Sequence, residues 1–177
     1  MPTPASNSSS AQRLGKGMIA ITWVVLLGML TWFFNDKVDA QRNPNQQAQA
    51  RLNEGIHELV LQRNRQGHYV APGNINGQPV EFLLDTGATL VSIPQPLAQR
   101  LGLKPGIPLE SQTANGTVTT YATVIENIEL GGIVLRNIRA SINPGQTGND
   151  VLLGMSFLQQ LELTQHGNTL TLKEYAR

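Results

Sequence analysis

The chain has 177 residues, enough for one ordinary domain with additions. Its 13 Lys+Arg nearly balance 12 Asp+Glu and no long basic run occurs, so charge gives no reason to expect a nucleic-acid partner. There is no cysteine, which excludes disulfides, CxxC redox chemistry, thiolate zinc sites and cysteine nucleophiles. His57, His68 and His166 are scattered without metal-ligand spacing, so no metal is expected, and no nucleotide loop that would imply a cofactor appears after the first segment.

Residues 1–16 are polar and rich in Ser, Asn and Pro, which predicts a disordered tail. Residues 17–34 carry no charge and would span roughly 27 Å as a helix, just enough for a bilayer core. Trp23 lies within this run and Trp32 near its far end, where an interfacial aromatic belongs. A cleaved signal peptide needs a shorter apolar region and a small-x-small site, which Val38 and Ala40 match poorly. Arg13 and Lys16 precede the run, whereas Asp36, Lys37 and Asp39 follow it. The positive-inside bias then keeps the tail in the cytoplasm and exports the rest, giving a single-pass protein of the inner membrane with a periplasmic C-terminal domain. Gly15-x-Gly17-x-x-Ala20 resembles a dinucleotide fingerprint, but no strand precedes it. Residues 35–55 are Gln/Asn-rich and predict a linker with a short helical stretch at most.

From residue 56 to 177 the pattern becomes β. Strands are expected at 58–63, 68–75, 80–84, 91–93, 117–126, 133–142, 151–153, 161–164 and 169–172, with a tight hairpin turn at Asn76-Gly77. Short helices are expected at 96–101 and 155–161. About 120 residues of short strands punctuated by glycine predict a mostly β fold, a small closed barrel with one or two short helices after a single transmembrane helix.

One motif carries chemistry. Asp85-Thr86-Gly87-Ala88-Thr89 follows the apolar run Phe82-Leu83-Leu84. This is a way to hold a carboxylate on a tight turn at the floor of a cleft. Gly87 permits close approach of backbone N–H groups to the carboxylate, and Thr86 and Thr89 offer hydroxyls that fix its orientation. Alone, Asp-Thr-Gly reads more simply as a turn. A second element raises its significance: Val151-Leu152-Leu153-Gly154 leads into the helix beginning at Met155.

The two elements together resemble the retropepsin-like aspartic proteases, over nearly the whole region from 57 to 172. The pattern is most similar to membrane-anchored bacterial members. The resemblance implies that Asp85 is the catalytic carboxylate, supported by Thr86, Gly87, Ala88 and Thr89. It implies that Leu152, Leu153 and Gly154 form the active-site floor. It also places a flap hairpin at 109–121, including Thr113, Ala114, Asn115, Gly116 and Thr117. Retroviral members usually carry an acid where Thr89 stands, and Arg-Asp or Arg-Asn where this chain has Met155-Ser156. The ion pairing those residues make between subunits is therefore not expected.

Aspartic proteolysis needs two carboxylates that share one proton. The other exported acids, Glu110 and Asp150 among them, read as solvated strand or turn charges, so the expected partner of Asp85 is a second Asp85 across a homodimer. The expected function is cleavage of peptide or protein substrates at the membrane. The alternative is a catalytically weak or silent peptide-binding or dimerisation module that keeps the fold.

Overall fold

A computed structural model describes residues 8–53, 55–113 and 116–175. It divides into two units, Met1–Ala40 and Gln41–Arg177.

The first unit is built on helix α1 (Ser8–Arg42). Within it, Lys16–Phe34 is long and apolar enough to cross a membrane, and none of its described residues is buried. Thr22 Oγ1 donates to Met18 O and Thr31 Oγ1 to Leu27 O, so the hydroxyls of this stretch are satisfied within the helix. The helix takes in residues 8–16 and 35–42, where the sequence predicts tail and linker. An established helix gains one hydrogen bond per added residue without a new nucleation cost, so polar flanks extend it readily.

The second unit contains β1 (Arg51–Asn53), β2 (Ile56–Gln62), β3 (Tyr69–Ile75), β4 (Gln78–Leu84), β5 (Val91–Pro94) and α2 (Gln95–Arg100). There follow β6 (Pro108–Thr113), β7 (Gly116–Leu130), β8 (Ile133–Asn143), β9 (Asp150–Leu153), α3 (Met155–Leu158), β10 (Glu162–His166) and β11 (Thr169–Tyr175). Asn76 and Gly77, with φ of 50° and 78°, form the two-residue turn between β3 and β4. Both central residues need positive φ there, which is why Asn-Gly suits the position.

The larger sheet has the order β3-β4-β9-β5-β8-β7-β6, and β3 pairs again with β7 through Gly73↔Leu130 to Ile75↔Ile128, so the run of strands returns on itself. Phe82, Ile93, Ile125, Ile138, Leu153 and Phe157 are fully buried between its strands and helix α3. Each such side chain contributes about 1.5–3 kcal/mol by leaving water. A smaller sheet, β1-β2-β11-β10, carries a row of alternating charge: Arg51, Glu58, Lys173 and Glu162 are successive register partners.

Residues 43–50 were expected to be linker, but they lie against this unit. Asn43 and Asn45 are buried. Asn45 Nδ2 donates to Val70 O (2.7 Å), and its Oδ1 accepts from Gln62 N (2.6 Å), so one side chain ties the segment to β2 and β3. Ala50 N donates to Gly131 O. The compact unit therefore begins near Gln41 rather than at residue 56.

Candidate active site

Two parallel pairings build the site. β4 lies parallel to β9, with Leu84 opposite Leu153, so the residues that leave those strands, Asp85 and Gly154, emerge side by side. β5 lies parallel to β8 on the other side of β9. Asp85 N donates to Leu153 O (3.2 Å), which ties the carboxylate loop to the second strand.

The loop then folds over its own carboxylate. Gly87 N donates to Asp85 Oδ1 at 2.9 Å, and Ala88 N donates to Asp85 O at 3.2 Å. Asp85 is half-buried, while Thr86, Gly87 and Thr89 are exposed. The far side of the loop is held by α3: Met155 N donates to Ala88 O (2.7 Å) and Ser156 N to Thr89 O (2.9 Å). Gly154 makes this fit possible. A Cβ there would lie 2.3 Å from Leu90 O and 2.7 Å from Ala88 O.

Ser156, which sequence comparison marks only as a departure from retroviral proteases, has a structural task. Its buried hydroxyl accepts from Val91 N (3.0 Å) and donates to Arg139 O (2.7 Å), joining α3 to β5 and β8.

Asp85 opens into a cleft of about 920 Å³, within the roughly 300–1,000 Å³ common for ligand sites. Of the expected site residues, Asp85, Gly87, Ala88, Thr89 and Leu152 line it. Leu153 is fully buried behind the wall, and Thr86 is not part of the lining. The hairpin β6–β7 forms the facing wall, with Thr113 opposite Gly116 at its end. Ala114 and Asn115 lie outside the described residues. The hairpin residues on the lining are Leu109, Glu110, Ser111, Gln112, Val118 and Thr120, which lie nearer its base than the expected flap residues Thr113, Gly116 and Thr117.

Sequence reasoning did not single out several polar residues that line the cleft, among them Glu110, Ser92 and Gln146. Glu110 is exposed, as expected of a strand acid, yet it brings a second carboxylate to the cleft. Ser92 and Gln146 hydrogen-bond each other there, Ser92 Oγ donating to Gln146 Oε1 at 2.8 Å. The signal for Ser92 was present: a hydroxyl in the middle of the apolar strand Val91-Ser92-Ile93.

The chain is similar to known proteins. Residues 71–160 match the family model described as gag-polyprotein putative aspartyl protease. An uncharacterized Sinorhizobium sp protein, from the cobV 5′ region, is 30% identical over 169 residues, covering 88% of this chain and 72% of that one. An uncharacterized Rickettsia prowazekii (strain Madrid E) protein is 29% identical over 110 residues, 60% of this chain and 47% of that one, so the match spans about half the relative. Among solved structures, a retropepsin-like aspartic protease from Rickettsia conorii superposes with a TM-score of 0.55 at 25% identity, over 67% of this chain and 91% of that one.

Proposed function

The chain belongs to the gag-polyprotein aspartyl protease family and has the retropepsin-like fold, and from that premise we propose that it is a membrane-anchored aspartic endopeptidase whose active form is a homodimer. The observation that carries this reading is the Asp85 loop, its carboxylate held by Gly87 N and opening into a cleft walled by a hairpin.

In this reading the two Asp85 carboxylates of a dimer share one proton, because like charges this close cannot both ionise. The ionised one takes a proton from a bound water as that water attacks the scissile carbonyl carbon. The protonated one donates to the carbonyl oxygen. Collapse of the resulting diol breaks the C–N bond as a proton passes to the leaving nitrogen. Thr86, Gly87, Ala88 and Thr89 shape the loop, and Leu152, Leu153 and Gly154 form the floor beneath it. The hairpin, including its end at 113–117, closes on bound peptide and excludes water.

The apolar helix supports the rest of the assignment. Residues 17–34 anchor the chain in the inner membrane, with 1–16 as a cytoplasmic tail. The charge difference between Arg13–Lys16 on one side and Asp36 and Asp39 on the other supports a periplasmic catalytic domain. Anchoring confines the chains to one surface and favours their pairing.

The test uses the full-length protein in detergent micelles with a peptide library. Asp85→Asn should fold normally, since the Asn carbonyl can still accept from Gly87 N, and should cleave nothing. Mixed in equal amount with wild type, it should cut the activity of the wild-type chain to about half by random pairing. Glu110→Gln should remain active. Undiminished activity in the mixture, together with loss in Glu110→Gln, would place both carboxylates in one chain and refute the dimer mechanism. Peptide binding without cleavage by the wild type would favour the silent binding module instead.

A further inference from the structure

The cleft wall beyond Asp85 is polar where the strand interior is otherwise apolar. Ser92 on β5 and Ser141 on β8 are register partners in the parallel pair, and Leu152 on β9 is the other partner of Ser92. All three line the cleft. Ser92 and Ser141 are only 9% and 5% exposed. Gln146 accepts from Ser92 Oγ, and its Nε2 donates to Asp150 O at 2.9 Å, so both ends of its amide are fixed. Ser141 Oγ makes no hydrogen bond among the described residues, and it is not sealed off: the serine lines the cleft, and its hydroxyl is not among the buried polar atoms left without a partner.

Open to the cleft, that hydroxyl can be hydrated, but an apolar substrate group packed over it would strip the water away and leave it unpaired, which is unfavourable. A bound side chain carrying an amide or hydroxyl would satisfy it. β5 is two strands from β4, which delivers Asp85, so Ser92 lies about 10 Å across the sheet from the carboxylate row. That is the reach of a substrate side chain within a residue or two of the scissile bond.

We propose that Ser92, Ser141 and Gln146 form a polar subsite that selects a substrate side chain bearing an amide or hydroxyl close to the scissile bond, over a bulky aliphatic one. The inference rests on the peptide-cleaving reading of the same cleft, and its test separates the two.

Full-length protein in detergent micelles is given a randomised peptide library and the cut products are sequenced. One position flanking the cut should favour Gln, Asn, Ser or Thr over Leu or Val by about tenfold. In a Ser92→Ala, Ser141→Ala double variant that preference should vanish while aliphatic peptides are still cut. Ser141→Thr, which keeps the hydroxyl, should retain it and controls for folding. Aliphatic preference at every position in the wild type, or a polar preference unchanged in the double variant, would overturn the subsite. If the wild type cuts nothing, peptides retained by the immobilised Asp85→Asn chain are sequenced instead. Polar enrichment that Ser141→Ala abolishes would then uphold the subsite while the protease reading falls, and retention without enrichment, or no retention, would overturn it.

Discussion

Replacing Gly154 with alanine places a methyl group 2.3 Å from Leu90 O, 2.7 Å from Ala88 O and 2.7 Å from the Leu90 carbonyl carbon. All three atoms are backbone, so no side chain can rotate away. An ordinary contact requires the 88–90 loop and the start of α3 to separate by about 1 Å. Overpacking of this kind costs about 1–3 kcal/mol. The separation also strains the Met155 N to Ala88 O and Ser156 N to Thr89 O hydrogen bonds, each contributing about 0.5–1.5 kcal/mol. The expected loss is about 3–5 kcal/mol, a large part of a typical stability of about 5–15 kcal/mol. Gly87 in the same loop is the contrast. A Cβ there meets only Asp85 Oδ1, at 3.2 Å, so Gly87→Ala should cost less than about 1 kcal/mol while displacing the carboxylate and lowering activity. Urea unfolding of the full-length protein in micelles, followed by far-ultraviolet circular dichroism, should move the midpoint down by roughly 2 M for Gly154→Ala and little for Gly87→Ala. Equal midpoints for Gly154→Ala and wild type, or a larger fall for Gly87→Ala, would refute the steric argument.

Ser156→Ala removes the hydroxyl that bridges Val91 N and Arg139 O, and should lower stability by about 1–3 kcal/mol in the same urea experiment; an unchanged midpoint would show that the bridge contributes nothing. Arg42 pairs with both Asp150 oxygens, at 2.6 and 2.8 Å, and lies 3.5 Å from Glu81, the register partner of Asp150. Because the pair is half-exposed, Arg42→Ala should cost no more than about 1 kcal/mol, and its thermal-midpoint difference from wild type should shrink as salt is added. Tyr175 donates a short hydrogen bond to Glu162, and this bond, with lesser effects of burial and the carboxylate charge, holds its phenol above the ordinary 10.0. A pKa raised in the folded state means that the bond's stabilisation is complete below pH 10 and is lost as pH rises through the folded value. Absorbance titration of phenolate should therefore show a late component, from Tyr175, that Glu162→Gln brings back toward the ordinary value.

Local signals in the chain reached most of the strands and the carboxylate loop. The periods of Tyr69–Ile75, Gln78–Leu84 and Ile133–Asn143, the Asn76-Gly77 turn and the retropepsin-like motif at Asp85 are all short-range patterns. What escaped depends on residues far apart. Asn45 reads as linker because it is polar, yet it is buried by bonds to Gln62 and Val70, 17 and 25 positions away. Strand β1 has three exposed residues and exists through its pairing with β2. The return pairing of β3 with β7 and the parallel neighbours of β9 are likewise set by packing, which no local period encodes. At the site, the polar partners Ser92 and Gln146 sit 54 positions apart, so their contact appears only once β5 and β8 are side by side.

The chain's two tryptophans, Trp23 and Trp32, both belong to helix α1, whereas its three tyrosines, Tyr69, Tyr121 and Tyr175, all belong to the unit that holds the cleft. Its fluorophores are thus partitioned between the apolar helix and the β unit. Indole emission reports the surroundings of the helix, blue-shifted in acyl chains and red-shifted in water. Tyrosine emission reports the folding of the β unit. One sample, excited at two wavelengths, can follow the loss of the β unit separately from any change around the helix, and no labelling is needed to tell the two events apart.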